Sequence, residues 1–478
     1  MRNFLVSILF VSVFSINIFA QSGRVGASTA SLDSAGAPSD STNESTVEQL
    51  FADANGYAKR KFAEYEQKKI PYTENLYLVT LREQKQLAAK YAALARIRQN
   101  LAGEDFYFLG MLNWAAENAD GAAENLKKFF AVETADTAKL QAARSVVAVI
   151  SARQKNFDEA ETLLAQYLKN EPVKLSERAL VERELAAAYK ENKNYAKAAA
   201  HAVEAYVAAK ILFKDNTSRA RGLNQILDAG LNAFEIYGDD GRQIEADRTL
   251  EDLRQTAVSI DSIEIYYAAI DAHIKYLIET KRKTEGLKTY ENALEQTKKD
   301  FAKKPQQDDV IRRFKKREKQ YNLLGEQAPE IVDVAAWFPG APQTFANLRG
   351  KIVLIDFWAT WCGPCIAAFP SLAEWQQTYK NDGFVVLGLT RYYDQPQTEK
   401  VDNTIELAHL KIFRTEKNLP YDFAVTTTST SIAAYGASGL PTTVLIDRKG
   451  VVRYIETGTS RSREEEIRRA IEKLLAEK

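Results

Sequence analysis

Lys351-Ile352-Val353-Leu354-Ile355-Asp356-Phe357-Trp358-Ala359-Thr360-Trp361-Cys362-Gly363-Pro364-Cys365 contains the only two cysteines of a 478-residue chain. A chain that uses cysteine once, as a close pair, is not stapling a fold with it. The β-branched apolar run 351–357, with one acid embedded, predicts a buried strand. A helix starting at Cys362 would carry both thiols on one short turn. Cys362 would then sit at the helix N-terminus, where unpaired N–H groups and the dipole favour thiolate over thiol. A structural zinc site needs four ligands. No third cysteine exists, and His201, His273 and His409 are scattered. A purely structural disulfide is disfavoured, because so short a loop removes little chain entropy. A switching dithiol is the reading that remains.

The flanks extend it. Ile366, Phe369, Leu372 and Trp375, spaced by three, predict a helix that Pro370 would kink by removing a backbone donor. Phe384–Leu389 and Thr443–Asp447 read as further strands, and Arg448-Lys449-Gly450 as the turn into a strand at Val451–Ile455. Arg463–Glu477 reads as a charged amphipathic helix. Thr390-Arg391-Tyr392-Tyr393 follows a strand and is expected at its carboxyl end, bordering the Cys362 surface.

These residues resemble the thioredoxin superfamily, and within it the TlpA- and ResA-like thiol:disulfide oxidoreductases of the bacterial envelope. The matching segments are Gly325-Glu326-Gln327-Ala328-Pro329, Leu348-Arg349-Gly350-Lys351, the run through Cys365, and Gly439-Leu440-Pro441-Thr442-Thr443. The likeness covers about residues 325–478. It implies Cys362 as attacking thiolate, Cys365 as resolving thiol and Pro441 as a cis-proline facing the disulfide. Trp361, Gly363, Pro364, Leu440, Tyr392 and Tyr393 become the implied substrate contacts. Asp356 matches thioredoxin's buried acid. Desolvation should raise its pKa and let it take the Cys365 proton; a strand-end carboxylate paired with a lysine is the plainer alternative. Many TlpA- and ResA-like proteins carry a glutamate three residues after the second cysteine, where this chain has Ala368, so their substrate specificity is not transferred. The Gly363-Pro364 dipeptide is thioredoxin's, which favours a reductant.

At the other end, Met1–Ala20 has the layout of a secretory signal: Arg2, an apolar run from Phe4 to Phe19, then Ala20-Gln21-Ser22. An uncleaved membrane anchor is the rival. Either places the remainder outside the cytoplasm, in the periplasm or cell envelope. Residues 21–45, rich in Ser, Ala, Thr and Gly, are expected to form a disordered linker.

Residues 46–320 have the composition of long helices. Asp120-Gly121-Ala122-Ala123-Glu124-Asn125-Leu126 recurs as Phe157-Asp158-Glu159-Ala160-Glu161-Thr162-Leu163 and as Tyr195-Ala196-Lys197-Ala198. Anchor alanines are assigned at 123, 160 and 198, with looser copies near Ala246 and Gly286. This resembles tetratricopeptide (TPR) repeats and implies a concave platform for a protein partner, or otherwise a spacer. The predicted fold class is therefore an all-α, TPR-like solenoid followed by a thioredoxin-like α/β domain at 325–478. Lys298–Lys319 is read as a solvated, charged helix between them. With 64 basic and 64 acidic residues, nucleic-acid binding is not expected.

The expected function is an exported thiol:disulfide oxidoreductase reducing protein disulfides, needing no cofactor or metal and re-reduced by a membrane or envelope electron donor. Two alternatives differ in class. One is a TPR-type scaffold with a redox-passive domain. The other is a thiol peroxidase, disfavoured because Ala359 stands where a Pro-x-x-x-Thr-x-x-Cys pattern needs threonine.

Overall fold

The computed structural model describes residues 45–132, 136–214, 219–393 and 402–477. The expected signal peptide and nearly all of the expected linker lie outside these residues. No helix among the described residues is long and apolar enough to cross a membrane.

An all-helical region is followed by a mixed α/β domain with a thioredoxin-like fold. The helices are α1 (Val47–Gln67), α2 (Glu74–Arg96), α3 (Asp105–Ala115), α4 (Ala119–Phe129), α5 (Thr137–Arg153), α6 (Phe157–Lys169), α7 (Leu175–Glu191), α8 (Tyr195–Lys214), α9 (Arg219–Asp239), α10 (Gln243–Ser259), α11 (Ile263–Glu279), α12 (Lys283–Asp300) and α13 (Gln307–Leu323). Side-chain caps mark several starts. Thr46 and Gln49 close a reciprocal capping box on α1, and Asn118 accepts the Gly121 N–H on α4. By packing, the chain forms two compact units that divide at Thr249/Leu250, inside α10. The expected boundary near residue 320 marks a change of secondary-structure class. Helices α11–α13 belong with the α/β domain.

Within the first unit, α5 is buried over most of its surface, from Gln141 to Ala152. The repeat has a sharper register than its sequence showed. Glu117, Lys155 and Lys193 each turn the chain through a left-handed conformation, and five residues later Ala122, Ala160 and Ala198 are fully buried. The same interval links Gly241 to buried Ala246, and Lys281 to Gly286. The first anchor is thus Ala122 and not Ala123, which is only partly buried. Small residues are required where the partner helix comes close. In the second unit, a Cβ on Gly286 would sit 3.0 Å from the Ile278 side chain and 3.1 Å from the Ile274 carbonyl.

The α/β domain contains β1 (Val334–Phe338), β2 (Ile352–Phe357), α14 (Gly363–Tyr379), β3 (Phe384–Arg391), α15 (Asn403–Glu416), β4 (Asp422–Thr426), α16 (Thr430–Ala434), β5 (Thr442–Ile446), β6 (Val452–Thr457) and α17 (Arg461–Ala476). The sheet order is β1-β4-β3-β2-β5-β6. Parallel pairing joins β2 to β3 and β3 to β4; antiparallel pairing joins β2 to β5, β5 to β6 and β1 to β4. All six residues of β2 are buried, as expected of a central strand covered on both faces. Helix α14 runs on through Pro370.

The segment read as a solvated helix is only half so. Helix α13 buries Val310, Phe314, Arg317, Gln320 and Tyr321 along one face. Arg317 forms a two-pronged ion pair with Glu456 of β6, both bonds 3.0 Å, and reaches Asp271 of α11 at 3.3 Å. Lys275 of α11 bridges Asp271 at 2.9 Å and Glu456 at 2.5 Å, and Tyr321 donates to Asp271 at 2.6 Å. Burial opposes ionisation of both carboxyls, but Arg317 and Lys275 overcome it and hold them below the ordinary range. Gln320 donates to the Gly436 carbonyl, and the chain at Gly325 and Glu326 exchanges backbone hydrogen bonds with Val452. These contacts cover an edge strand that would otherwise offer unpaired backbone groups.

Removing one partner from a buried ion network leaves its counter-charges uncompensated. Arg317→Met in the full chain should lower unfolding stability by about 3–5 kcal/mol, read from urea denaturation followed by tryptophan fluorescence. A loss below about 1 kcal/mol would mark the network as solvent-screened.

Candidate functional site

The topology delivers three chain segments to one end of the sheet. Strand β2 ends at Phe357 and leads through Trp361 into α14. Its parallel neighbour β3 ends at Arg391 and leads to Tyr392 and Tyr393. Antiparallel β5 begins at Thr442, opposite Phe357, so the Leu440–Pro441 bond just before it lies at the same end. That bond is cis. Its loop is tied down: Thr442 Oγ1 donates to the Gly439 carbonyl at 2.7 Å, and Gly458 N–H donates to the Pro441 carbonyl at 2.8 Å.

Cys362 is the N-cap of α14, and Pro364 occupies the first turn, where its missing N–H costs nothing. Cys362 and Cys365 are joined in a disulfide with Cα atoms 5.3 Å apart. The Cys365 N–H points at Cys362 Sγ, 3.2 Å away. An N–H aimed at that sulfur, on a helix N-terminus, favours the thiolate once the bond is reduced. The two residues differ in access. Cys362 is 4% exposed and lines a groove, whereas Cys365 is 0% exposed.

Asp356 lies in β2 between Gly388 of β3 and Thr443 of β5. Only 1% of it is exposed, and neither carboxyl oxygen has a hydrogen-bond partner. Burial pushes its pKa up to about 7. No lysine among the described residues pairs with it. The carboxyl borders a cavity of about 10 Å³ shared with Ala368, Ser371 and Leu372 of α14 and with Pro441. That volume is at the lower limit for one water. A carboxyl poised near neutrality, bordering Ala368 one turn of α14 after Cys365, can hold a proton in one state of the pair and release it in the other. Packing above it is tight: a Cβ on Gly388 would strike the Phe423 ring at 2.7 Å and Trp358 Nε1 at 3.0 Å.

A groove of about 470 Å³ opens beside Cys362. Trp361, Gly363, Pro364, Leu440 and Tyr393 line it. Trp361 is 55% exposed and meets Tyr393 edge-on, with ring centroids 5.5 Å apart. Tyr392 is not in the groove lining; it packs against the domain core, with its N–H on the Thr426 carbonyl. Neighbouring residues alternate sides along an extended chain, so only one of the two tyrosines can face the site. Arg391 and Gly439, on segments that the sequence placed at the site, also line it, as do Ser429, Ile432, Ala437 and Ser438, which were not identified from sequence. These last four lie on α16 and its flanks, within a Thr- and Ser-rich stretch that offers no apolar period to read.

A redoxin family model matches residues 323–471. The thiol-disulfide oxidoreductase ResA of Geobacillus kaustophilus is 30% identical over 157 residues, covering 33% of this chain and 81% of that protein. Protein DipZ of Mycobacterium bovis is 32% identical over 134 residues, covering 27% of this chain and 18% of DipZ. The chain thus spans less than a fifth of the DipZ length. A solved thiol-disulfide isomerase from Corynebacterium glutamicum aligns at 22% identity over 32% of this chain and 98% of its own, with a TM-score of 0.28. The carboxy-terminal domain of this chain belongs to the redoxin family, as a thioredoxin-like redox domain related to ResA-type proteins.

The raised Asp356 pKa fixes a pH dependence. Between the ordinary carboxyl value near 4 and the native value near 7, the folded state binds a proton that the unfolded state has lost. Stability therefore falls as pH rises across that window and is level above it. Asp356→Asn should flatten this fall and make the oxidised protein more stable than its parent at pH 8 by roughly 4 kcal/mol, the equivalent of about three pKa units. Urea midpoints at pH 5 and pH 8 measure it; parallel curves for both proteins would show Asp356 ionising normally.

Proposed function

We propose that this chain is an exported thiol:disulfide oxidoreductase that reduces protein disulfides through Cys362 and Cys365. The observation that carries the reading is the asymmetry of the pair: one cysteine at a helix N-terminus lining a groove, the other fully buried in the first turn of α14, a helix that the Asp356 carboxyl borders at Ala368. The Cys362 thiolate attacks a substrate sulfur and expels the other as a thiolate, leaving a mixed disulfide. Cys365 then gives its proton to Asp356 and attacks Cys362 Sγ. That step forms the intramolecular disulfide and releases the second substrate thiolate. Two electrons pass from the dithiol to the substrate. The name carried by ResA, a thiol-disulfide oxidoreductase, supports the exchange, and the Gly363-Pro364 dipeptide favours its reducing direction. An envelope electron donor would restore the dithiol.

The helical region serves, in this proposal, as a TPR-like platform that holds the partner. Holding a disulfide near Cys362 raises its effective concentration to about millimolar for a short connection, without altering the chemical step.

Full-length reduced protein should precipitate insulin chains in a turbidity assay, and Cys362→Ser should abolish it. Alkylation at pH 7 should label Cys362 and spare Cys365, while Cys365→Ser should accumulate mixed disulfides through Cys362. Soluble insulin in the presence of catalytic amounts of protein and excess dithiol would refute the reductase assignment. Asp356→Asn should slow release of the mixed disulfide more than its formation in stopped-flow thiol trapping. Equal slowing of both steps would reduce Asp356 to packing.

A further inference from the structure

Apolar side chains and two serines make up most of the groove beside Cys362, and one charged side chain joins them among the described lining residues: Arg391. Its place is well defined. Arg391 ends β3, in register with Thr426 of β4. The guanidinium lies 4.2 Å from the centre of the Tyr393 ring, and Nη1 donates to the Tyr392 carbonyl at 3.1 Å. Tyr393 in turn abuts Trp361, the neighbour of the attacking cysteine. No carboxylate among the described residues forms an ion pair with Arg391. Glu406 of α15, the acid closest to this segment in hydrogen bonding, is buried and accepts the Tyr393 N–H at 2.8 Å. A guanidinium has five N–H donors, and beyond the Tyr392 carbonyl and the Tyr393 side chain no acceptor among the described residues takes the others.

We propose that Arg391 makes the groove selective for disulfides whose attacked cysteine is flanked by aspartate or glutamate. The preferred substrate is an extended polypeptide segment carrying that acidic neighbour, and the selectivity rests on the reductase reading above. Once the peptide lies across Trp361 and Leu440, its cysteine sulfur meets Cys362 Sγ and the adjoining carboxylate meets the guanidinium. Reduction follows the balanced exchange given above: the protein dithiol becomes a disulfide and the peptide disulfide becomes two thiols. Arg391 takes no part in electron transfer. It is a positioning residue that chooses which disulfide is presented.

The test uses the reduced full chain and three disulfide-linked peptide dimers that differ only in the residue before cysteine: Asp, Ala or Lys. Thiol trapping gives the second-order rate for each. The Asp peptide should react about three- to tenfold faster than the Lys peptide at low ionic strength, the size of one attraction replaced by one repulsion near a protein surface. The ratio should shrink towards one in about 0.5 M salt, as screening requires. Arg391→Gln should abolish the ratio and Arg391→Lys should keep it; a purely structural role would leave the ratio intact in Arg391→Gln. Equal rates for the three peptides in the parent, or a ratio that survives Arg391→Gln, overturn the proposal. If insulin and all three peptides stay oxidised, the reductase reading falls and this proposal with it. If insulin is reduced while the peptides react alike, only the proposal falls.

Discussion

Burial of β2 on both faces governs the α/β domain. A strand sealed this way needs ladder partners on both sides and apolar neighbours above and below. Ile352–Phe357 finds β3 on one side and β5 on the other. Because β3 runs parallel and β5 antiparallel, the carboxyl ends of two strands and the start of a third arrive at one place. The chain leaving β2 turns there into α14 and puts Cys362 on the helix N-terminus. Thus the strand that anchors the core also aims the sulfur, and disturbing either disturbs both.

Asp356 is the exception in that strand. An unpartnered carboxyl in an apolar interior weakens a fold, because its charged form loses hydration and gains nothing in return. The domain surrounds it with Trp375, Leu372 and Ile467 and leaves only a water-sized space beside it. Such an arrangement has no merit as packing. What it confers is a proton affinity near neutrality, in the strand that leads to the cysteine pair. The edge of the sheet shows the opposite solution for buried charge. Glu456 is sealed just as thoroughly, yet Arg317, Lys275 and Arg463 surround it, so it stays ionised and ties α11 and α13 to β6. Opposite environments give two buried acids opposite roles.

That tie changes what counts as the redox domain. The family likeness begins at residue 323, yet the compact unit begins at Leu250. Lys275 of α11 and Arg317 of α13 are two of the three cations around Glu456, and the chain just after α13 pairs with the edge strand at Val452.

Local chemistry is legible without coordinates. The pair Cys362 and Cys365, the strand before it, the helix after it and the hairpin at 448–450 all follow from nearest neighbours along the chain, as does the embedded acid Asp356. Helix-rich composition and recurring small residues likewise announce the helical region, although the burial phase that selects Ala122 over Ala123 depends on the angle at which α4 meets its neighbours. Strands β1 and β4 escaped sequence reading because their period is short and their pairing lies far away in the chain. Tyr392 and Tyr393 are equal as letters and both pack against the core, yet only Tyr393 also lines the groove. Lys298–Lys319 reads as solvated because charge is normally hydrated, and only the approach of Asp271 and Glu456 from distant segments makes burying Arg317 favourable. The sequence by itself determined the reactive pair and its helix, since both rest on contacts within a few residues. Tertiary structure decided which acid is lonely, which cation is buried and which arginine faces the site, because each depends on where remote parts of the chain meet.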